Sequence, residues 1–208
     1  DIGCGNGYFL KYMQENGWEV IGLEPSPTAC EYARSLNVKV FNLTIEEFRT
    51  EFKKQRFFDA INLSYVLEHS SNPKEVLEIC RDLLKNNGVM RVAVPNDFNS
   101  LQLQANKLVS KPSWWIAIPD HINYFNFKTL ERLLNNVGFE ILLRTTSFPI
   151  ELFLLMGDDY VENDEVGSMC HQKRMNFELA LPKNIRRKLY QKLASLGLGR
   201  ECIFYAKP

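Results

Sequence analysis

Three glycines at alternate positions, Gly3, Gly5 and Gly7, follow a carboxylate in Asp1-Ile2-Gly3-Cys4-Gly5-Asn6-Gly7. A backbone without Cβ atoms lets a ligand lie against the main chain and permits the positive φ of a tight turn. A diphosphate fits such a turn poorly here: its loop wants G-x-G-x-x-G, and Tyr8 occupies the third glycine's position. The leading acid would also repel a diphosphate, whereas it suits a ligand that carries positive charge. Nineteen positions after Gly5 stands Glu24, near the ~20-residue offset at which an acid ends the second strand of a nucleotide-binding sheet and accepts from ribose hydroxyls. A further reactive group is His121, beside Asp120 and close in sequence to Trp114, Trp115, Tyr124 and Phe125. A neutral imidazole is the natural general base for an acceptor of high pKa, and the aromatic side chains suit an acceptor wall. The competing roles are a structural hydrogen bond for His121 and core packing for the aromatic residues.

A glycine turn of this kind belongs between a strand and a helix, so the chain is expected to start at the end of its first strand, with the rest of that strand missing or truncated. Phe9, Leu10 and Met13 recur at helical spacing before Gly17, a C-cap glycine. Val20 to Leu23 reads as a strand, and Ser26-Pro27 opens a helix as N-cap and first-turn proline. Val38 to Phe41 is the next strand; Thr44-Ile45-Glu46-Glu47 is a capping box. Phe57 to Ser64 is again a strand, Asn72-Pro73-Lys74-Glu75 starts a helix running toward Asn86, and Val89 to Val94 is a strand. Apolar strands alternating with amphipathic helices require a sheet covered on both faces, hence an α/β, doubly wound, mostly parallel architecture. Residues 97–126 break the rhythm and are expected to form an irregular cap over the carboxyl end of the sheet. A helix over Thr129–Asn136 and a strand over Phe139–Thr146 follow. Residues 149–195 read as a helical insertion, a lid or an oligomer contact, before a last strand at Glu201–Ala206.

The 208 residues fit one domain. Basic and acidic residues balance at 25 each, so no electrostatic footprint for nucleic acid is visible and small-molecule partners are favoured. Cys4, Cys30, Cys80, Cys170 and Cys202 show no paired spacing, which points to reduced thiols of a cytoplasmic protein and to no metal site. No apolar run reaches the ~18 residues of a membrane span.

The opening turn resembles motif I of the class I S-adenosylmethionine-dependent methyltransferases. The resemblance continues through Glu24, through Phe58-Asp59-Ala60-Ile61 to Leu67-Glu68-His69 with Asn72-Pro73, through Val94-Pro95-Asn96, and through His121-Ile122-Asn123-Tyr124-Phe125 to Gly138-Phe139. These later motifs are similar to the subgroup that includes ubiquinone-biosynthesis O-methyltransferases (type 11 and type 23 domains). The resemblance implies a seven-stranded Rossmann-like sheet in a single methyltransferase domain over residues 1–208. It implies S-adenosyl-L-methionine as cofactor, held by Asp1, Gly3, Cys4, Gly5, Asn6 and Gly7 under its methionine part. Glu24 would take the ribose hydroxyls, with Pro25 and Ser26 along the adenosine. Thr44 and Ile45 would contact adenine, the threonine standing where the family often carries an acid. Ser64, Tyr65 and Val66 would line the sulfonium side. His121 is the expected base, and Asn96, Trp114, Trp115 and Tyr124 the expected acceptor contacts. The implied reaction is methyl transfer to a small molecule, with oxygen the favoured atom, by a monomer or homodimer without nucleic-acid or membrane-spanning partners. A nicotinamide-dependent oxidoreductase and a non-catalytic cofactor-binding scaffold are the alternatives.

Overall fold

The computed structural model describes residues 1–52 and 55–208. Alternation is observed through the first half: α1 (Tyr8–Glu15), β1 (Gly22–Leu23), α2 (Pro27–Ser35), β2 (Val40–Phe41), α3 (Ile45–Glu51), β3 (Phe58–Ser64), a 3-10 turn (Leu67–His69), α4 (Pro73–Leu83) and β4 (Leu84–Pro95). The capping signals act as expected. Ser26 Oγ accepts from Ala29 N at the start of α2, Thr44 and Glu47 form a reciprocal capping box on α3, and Asn72 Oδ1 accepts from Glu75 N on α4.

The sheet departs from the expected seven strands. β1 and β2 pair in parallel, and a second group runs β3-β4-β6-β5, where β5 is Glu140–Thr145 and β6 is Glu201–Lys207. Ile2 joins the two groups by parallel bridges to Leu23 on one side and Leu63 on the other. Among the described residues, a single residue thus holds the position of a central strand, which leaves six strands. β3 and β4 are parallel, whereas β6 runs antiparallel to both β4 and β5.

β4 extends further back than its apolar run because its register with β3 shifts between Phe58 and Ala60, so that Leu84 pairs across an irregularity that takes in Gly88. Residues 97–126 are also more regular than expected. Asn99 Oδ1 accepts from Leu101 N and Gln102 N at 3.1 Å and caps α5 (Ser100–Val109). The remaining elements are α6 (Phe127–Val137), α7 (Glu151–Leu155), α8 (Asp164–Ala180) and α9 (Lys183–Ser195).

Alternation along β4 and β6 separates two faces. Met90, Val92 and Val94 with Cys202, Phe204 and Ala206 enter the main core, where Leu77 and Cys80 of α4 and Leu130 and Leu134 of α6 meet them. From the other face Arg91 and Tyr205 border a cavity of about 360 Å³, walled by Phe9, Leu10 and Met13 of α1. This cavity lies against the face of the sheet, from Phe58, Ala60 and Val89 to Ile2 and Leu23, whereas a ligand of an open α/β sheet binds outside the carboxyl ends of the strands.

Candidate functional site

At the carboxyl end of β1, the glycine turn is pinned to the sheet by Cys4 N donating to Leu23 O and is closed by Gly7 N donating to Cys4 O, each at 3.0 Å. Gly5 has φ +52°, and a Cβ built on it would meet nothing within 4 Å. Open space therefore lies over the turn at this position. Glu24 faces the same turn: its Oε2 accepts from Gly5 N and its Oε1 from Ser26 N, both at 2.8 Å. Each carboxylate oxygen is thereby fixed by one amide and keeps further acceptor capacity, the requirement for taking a vicinal diol. Asn6 and Pro25 are exposed at the rim. Cys4 is half-buried, and burial pushes its thiol up to about 11, so it lines the turn as a neutral group.

Asp1 is held sideways, its Oδ1 accepting from Asn62 Nδ2 at 2.7 Å. Asn62 Oδ1 in turn accepts from Arg91 Nη1 at 2.9 Å and from Ser64 Oγ at 3.2 Å, and Arg91 also donates to Ser64. Ser64 thus belongs to a strand-bracing network. Tyr65, next along, is exposed in the left-handed region at φ +57°, with its amide donating to Ala93 O at 2.9 Å. A tyrosine in that conformation is uncommon and characteristic of functional sites. Val66 lies against the turn: a Cβ on Gly3 would come within 2.6 Å of its Cγ2. The ends of β1 and β3 and the glycine turn therefore converge as expected.

Thr44 and Ile45 are the residues expected beside adenine. Thr44 is engaged in capping α3, and the Ile45 side chain is buried in the main core. Asn42, which carries no spacing signature, instead donates through Nδ2 to Glu24 O at 2.9 Å and Pro25 O at 2.8 Å and fixes the loop that bears Glu24.

Beyond β3, the 3-10 turn clamps the segment that carries His121, the expected acceptor side. Glu68 O accepts from Ile122 N and Asn123 N at 2.9 and 3.0 Å, and Asn123 Nδ2 donates to Leu67 O and Ser70 O. His69 Nδ1 bonds the Asp120 carbonyl at 2.7 Å, which makes that nitrogen the donor. The His69 and His121 rings lie 4.9 Å apart, edge to face. Burial and the neighbouring His69 both lower the pKa of His121, favouring the neutral imidazole that a base requires. Glu68, beneath them, is fully buried with neither carboxylate oxygen bonded, and burial pushes it up to about 7. Glu68, His69 and His121 bring ligand-capable atoms within 4.8 Å of one another, a spacing that a divalent cation can also use.

Trp114 and Trp115 pack edge to face at 5.0 Å, and Phe98 touches both Trp115 and Tyr124 at 5.9 Å. Tyr124 reaches His121 at 6.2 Å, so the aromatic residues and the imidazole form one wall. Asn96 does not join it. Its amide is 2% exposed, donates to Gly197 O and Gly199 O at 3.0 and 2.9 Å, and accepts from Cys202 Sγ, stapling the end of β4 to the approach of β6.

A family described as a methyltransferase domain matches residues 1–143. The ubiquinone biosynthesis O-methyltransferase of Glaesserella parasuis is 32% identical over 104 residues, which take in 46% of this chain and 44% of that protein. Its counterpart in Cereibacter sphaeroides is 36% identical over 95 residues, with 43% of this chain and 38% of that protein covered. The chain thus spans less than half the length of the curated relatives it matches. Among solved structures, an S-adenosylmethionine-dependent methyltransferase from Archaeoglobus fulgidus superposes over 100% of this chain and 84% of its own, with a TM-score of 0.63 at 17% identity. That likeness is one of fold.

Proposed function

Because the chain belongs to the class I S-adenosylmethionine-dependent methyltransferases, we propose that it methylates a small-molecule acceptor at oxygen, with S-adenosyl-L-methionine as donor. The observation that carries this reading is the Glu24 carboxylate, oriented at the end of β1 by the amides of Gly5 and Ser26 beside open space over the turn. The donor set fits an adenosine ribose with free hydroxyls and would repel a phosphorylated one. Tyr8, where a dinucleotide loop needs its third glycine, is exposed and bonds Tyr32 at 2.6 Å, which speaks against a nicotinamide coenzyme.

When bound, the sulfonium supplies an electrophilic methyl carbon and a good leaving group. The protein then has to align and desolvate the reactants and remove one proton. The backbone of the glycine turn, open over Gly5, cradles the donor, Tyr65 and Val66 border it just beyond β3, and Trp114, Trp115 and Tyr124 present the acceptor. His121, held neutral, takes the hydroxyl proton. Balanced charge favours a metabolite over nucleic acid. Five free cysteines suit a cytoplasmic enzyme. Among the described residues no helix is long and apolar enough to cross a membrane.

Titration calorimetry with S-adenosylhomocysteine tests the reading. Binding is expected, and Glu24→Ala should weaken it at least ~30-fold, the equivalent of about 2 kcal/mol for a lost charge-assisted pair. Equal affinity of the two proteins would refute the assignment.

A further inference from the structure

Charge balances over the whole chain but not along it. The 22 residues from Leu179 to Arg200 carry six cations and no carboxylate. Five of the six stand on α9. Arg186 is half-buried and donates to Glu178 O at 2.8 Å. Lys183, Arg187, Lys188 and Lys192 are exposed, and among the described residues none of them forms an ion pair. Neighbouring carboxylates are already engaged. Glu178 accepts from Tyr190 Oη at 2.6 Å and pairs with Arg174 at 3.4 Å, and Glu140 of β5 pairs with Lys207 at 3.0 Å. The positive field of α9 is therefore left uncompensated.

The same helix is apolar where a solvated helix is polar. It packs on β5 and buries Tyr190 and Ala194, one turn apart. On the opposite side by helical spacing, Ile185, Leu189 and the C-cap residue Leu196 recur at i, i+4 and i+11 and are 49%, 36% and 71% exposed. Lys188 and Lys192 share this outer side, each three residues after an exposed apolar one. Exposed leucines scattered singly need no explanation, but a stripe of them bordered by lysines and free of acids is a basic amphipathic face. At 13 residues the helix is too short to span a bilayer, whereas such a face suits a helix lying in the interface plane.

We propose that α9 is a docking surface for an anionic lipid bilayer. Ile185, Leu189 and Leu196 enter the boundary between headgroups and acyl chains, while the lysine stems reach back to place Lys188 and Lys192 at the level of the lipid phosphates. The unpaired cations select a negatively charged surface. The apolar stripe selects a bilayer over a nucleic acid, whose phosphates would engage the cations and leave the leucines in water. Docking needs neither cofactor nor acceptor, so this inference is independent of the methyl-transfer reading.

Co-sedimentation of the whole chain with lipid vesicles tests it. Partition onto phosphatidylcholine vesicles containing about 30% phosphatidylglycerol should exceed that onto pure phosphatidylcholine by at least ~10-fold, and the excess should collapse in about 0.5 M salt. Lys188→Gln/Lys192→Gln should lose about 25-fold, at ~5-fold for each cation near an anionic surface. Ile185→Ser/Leu196→Ser, changed at exposed positions, should lose about tenfold on the same vesicles with its urea midpoint unaltered. Equal partition onto the two vesicle types, or full retention by the serine variant, overturns the proposal. Tighter binding to duplex RNA than to the anionic vesicles, indifferent to the serine substitutions, would also overturn it and give the helix to nucleic acid.

Discussion

Gly5 and Gly7 occupy the same turn under opposite constraints, which lets mutation separate folding from binding. A Cβ on Gly7 would sit 2.8 Å from Ala33 Cβ with φ at +77°, so Gly7→Ala combines a clash between α1 and α2 with backbone strain. The expected loss is about 2–4 kcal/mol of stability, read as a lowered urea midpoint. Gly5 also has positive φ, at +52°, but a Cβ there meets nothing. Gly5→Ala should cost only the ~1–2 kcal/mol of left-handed strain while weakening S-adenosylhomocysteine more than tenfold, because the methyl enters the space over the turn. A Gly5→Ala protein that binds normally would place the cofactor elsewhere. The packing of Gly7 against Ala33 and Val38 is not read from the sequence, whereas the glycine turn and its pairing with Glu24 were legible because they depend on spacing along the chain. Asn42 and Asn96 were not, since an amide that ties two strand ends together is defined by partners far away in sequence.

At the level of elements, legibility followed the strength of local signals. α2, α3 and α4 announce themselves with a polar cap, a proline or an acid at fixed offsets, and all three form there. α5 lacks an apolar period: its buried positions are Gln102 and Ala105, while Leu103 and Leu108 point to solvent. Its cap, Asn99, donates to Asn96 O at 2.8 Å, and the Asn96 side chain is itself held by Gly197 O and Gly199 O, far along the chain. Asn96 is therefore the junction of β4, α5 and the Gly197–Gly199 approach to β6. Asn96→Ala removes two donated bonds and one accepted bond in a site that is 2% exposed. About 2–4 kcal/mol should be lost, with S-adenosylhomocysteine affinity little changed in the folded fraction. An Asn96→Ala protein of full stability and impaired turnover would instead return this residue to the acceptor site.

Across the whole molecule Glu68, Asp97 and Glu151 load the fold with buried acids, and that load makes stability depend on pH. Asp97 is 2% exposed, and burial raises its carboxyl from 3.8 to about 6, with Glu151 pushing the same way and Arg200 opposing. Glu68, within its electrostatic reach, is itself raised by burial, to about 7. A carboxyl whose folded pKa exceeds its unfolded one binds more protons in the native state, so its contribution is fully present below the unfolded value and is lost as pH rises through the folded value. For Asp97 the window runs from about pH 4 to pH 7, and a shift of about two units corresponds to about 3 kcal/mol. Other carboxylates titrate over the same range, which makes the difference between wild type and Asp97→Asn the quantity to measure. Urea unfolding at intervals across that window should show the variant gaining on the wild type by up to about 3 kcal/mol toward neutral pH. Parallel curves would mean that Asp97 is ionised and paired in the native protein.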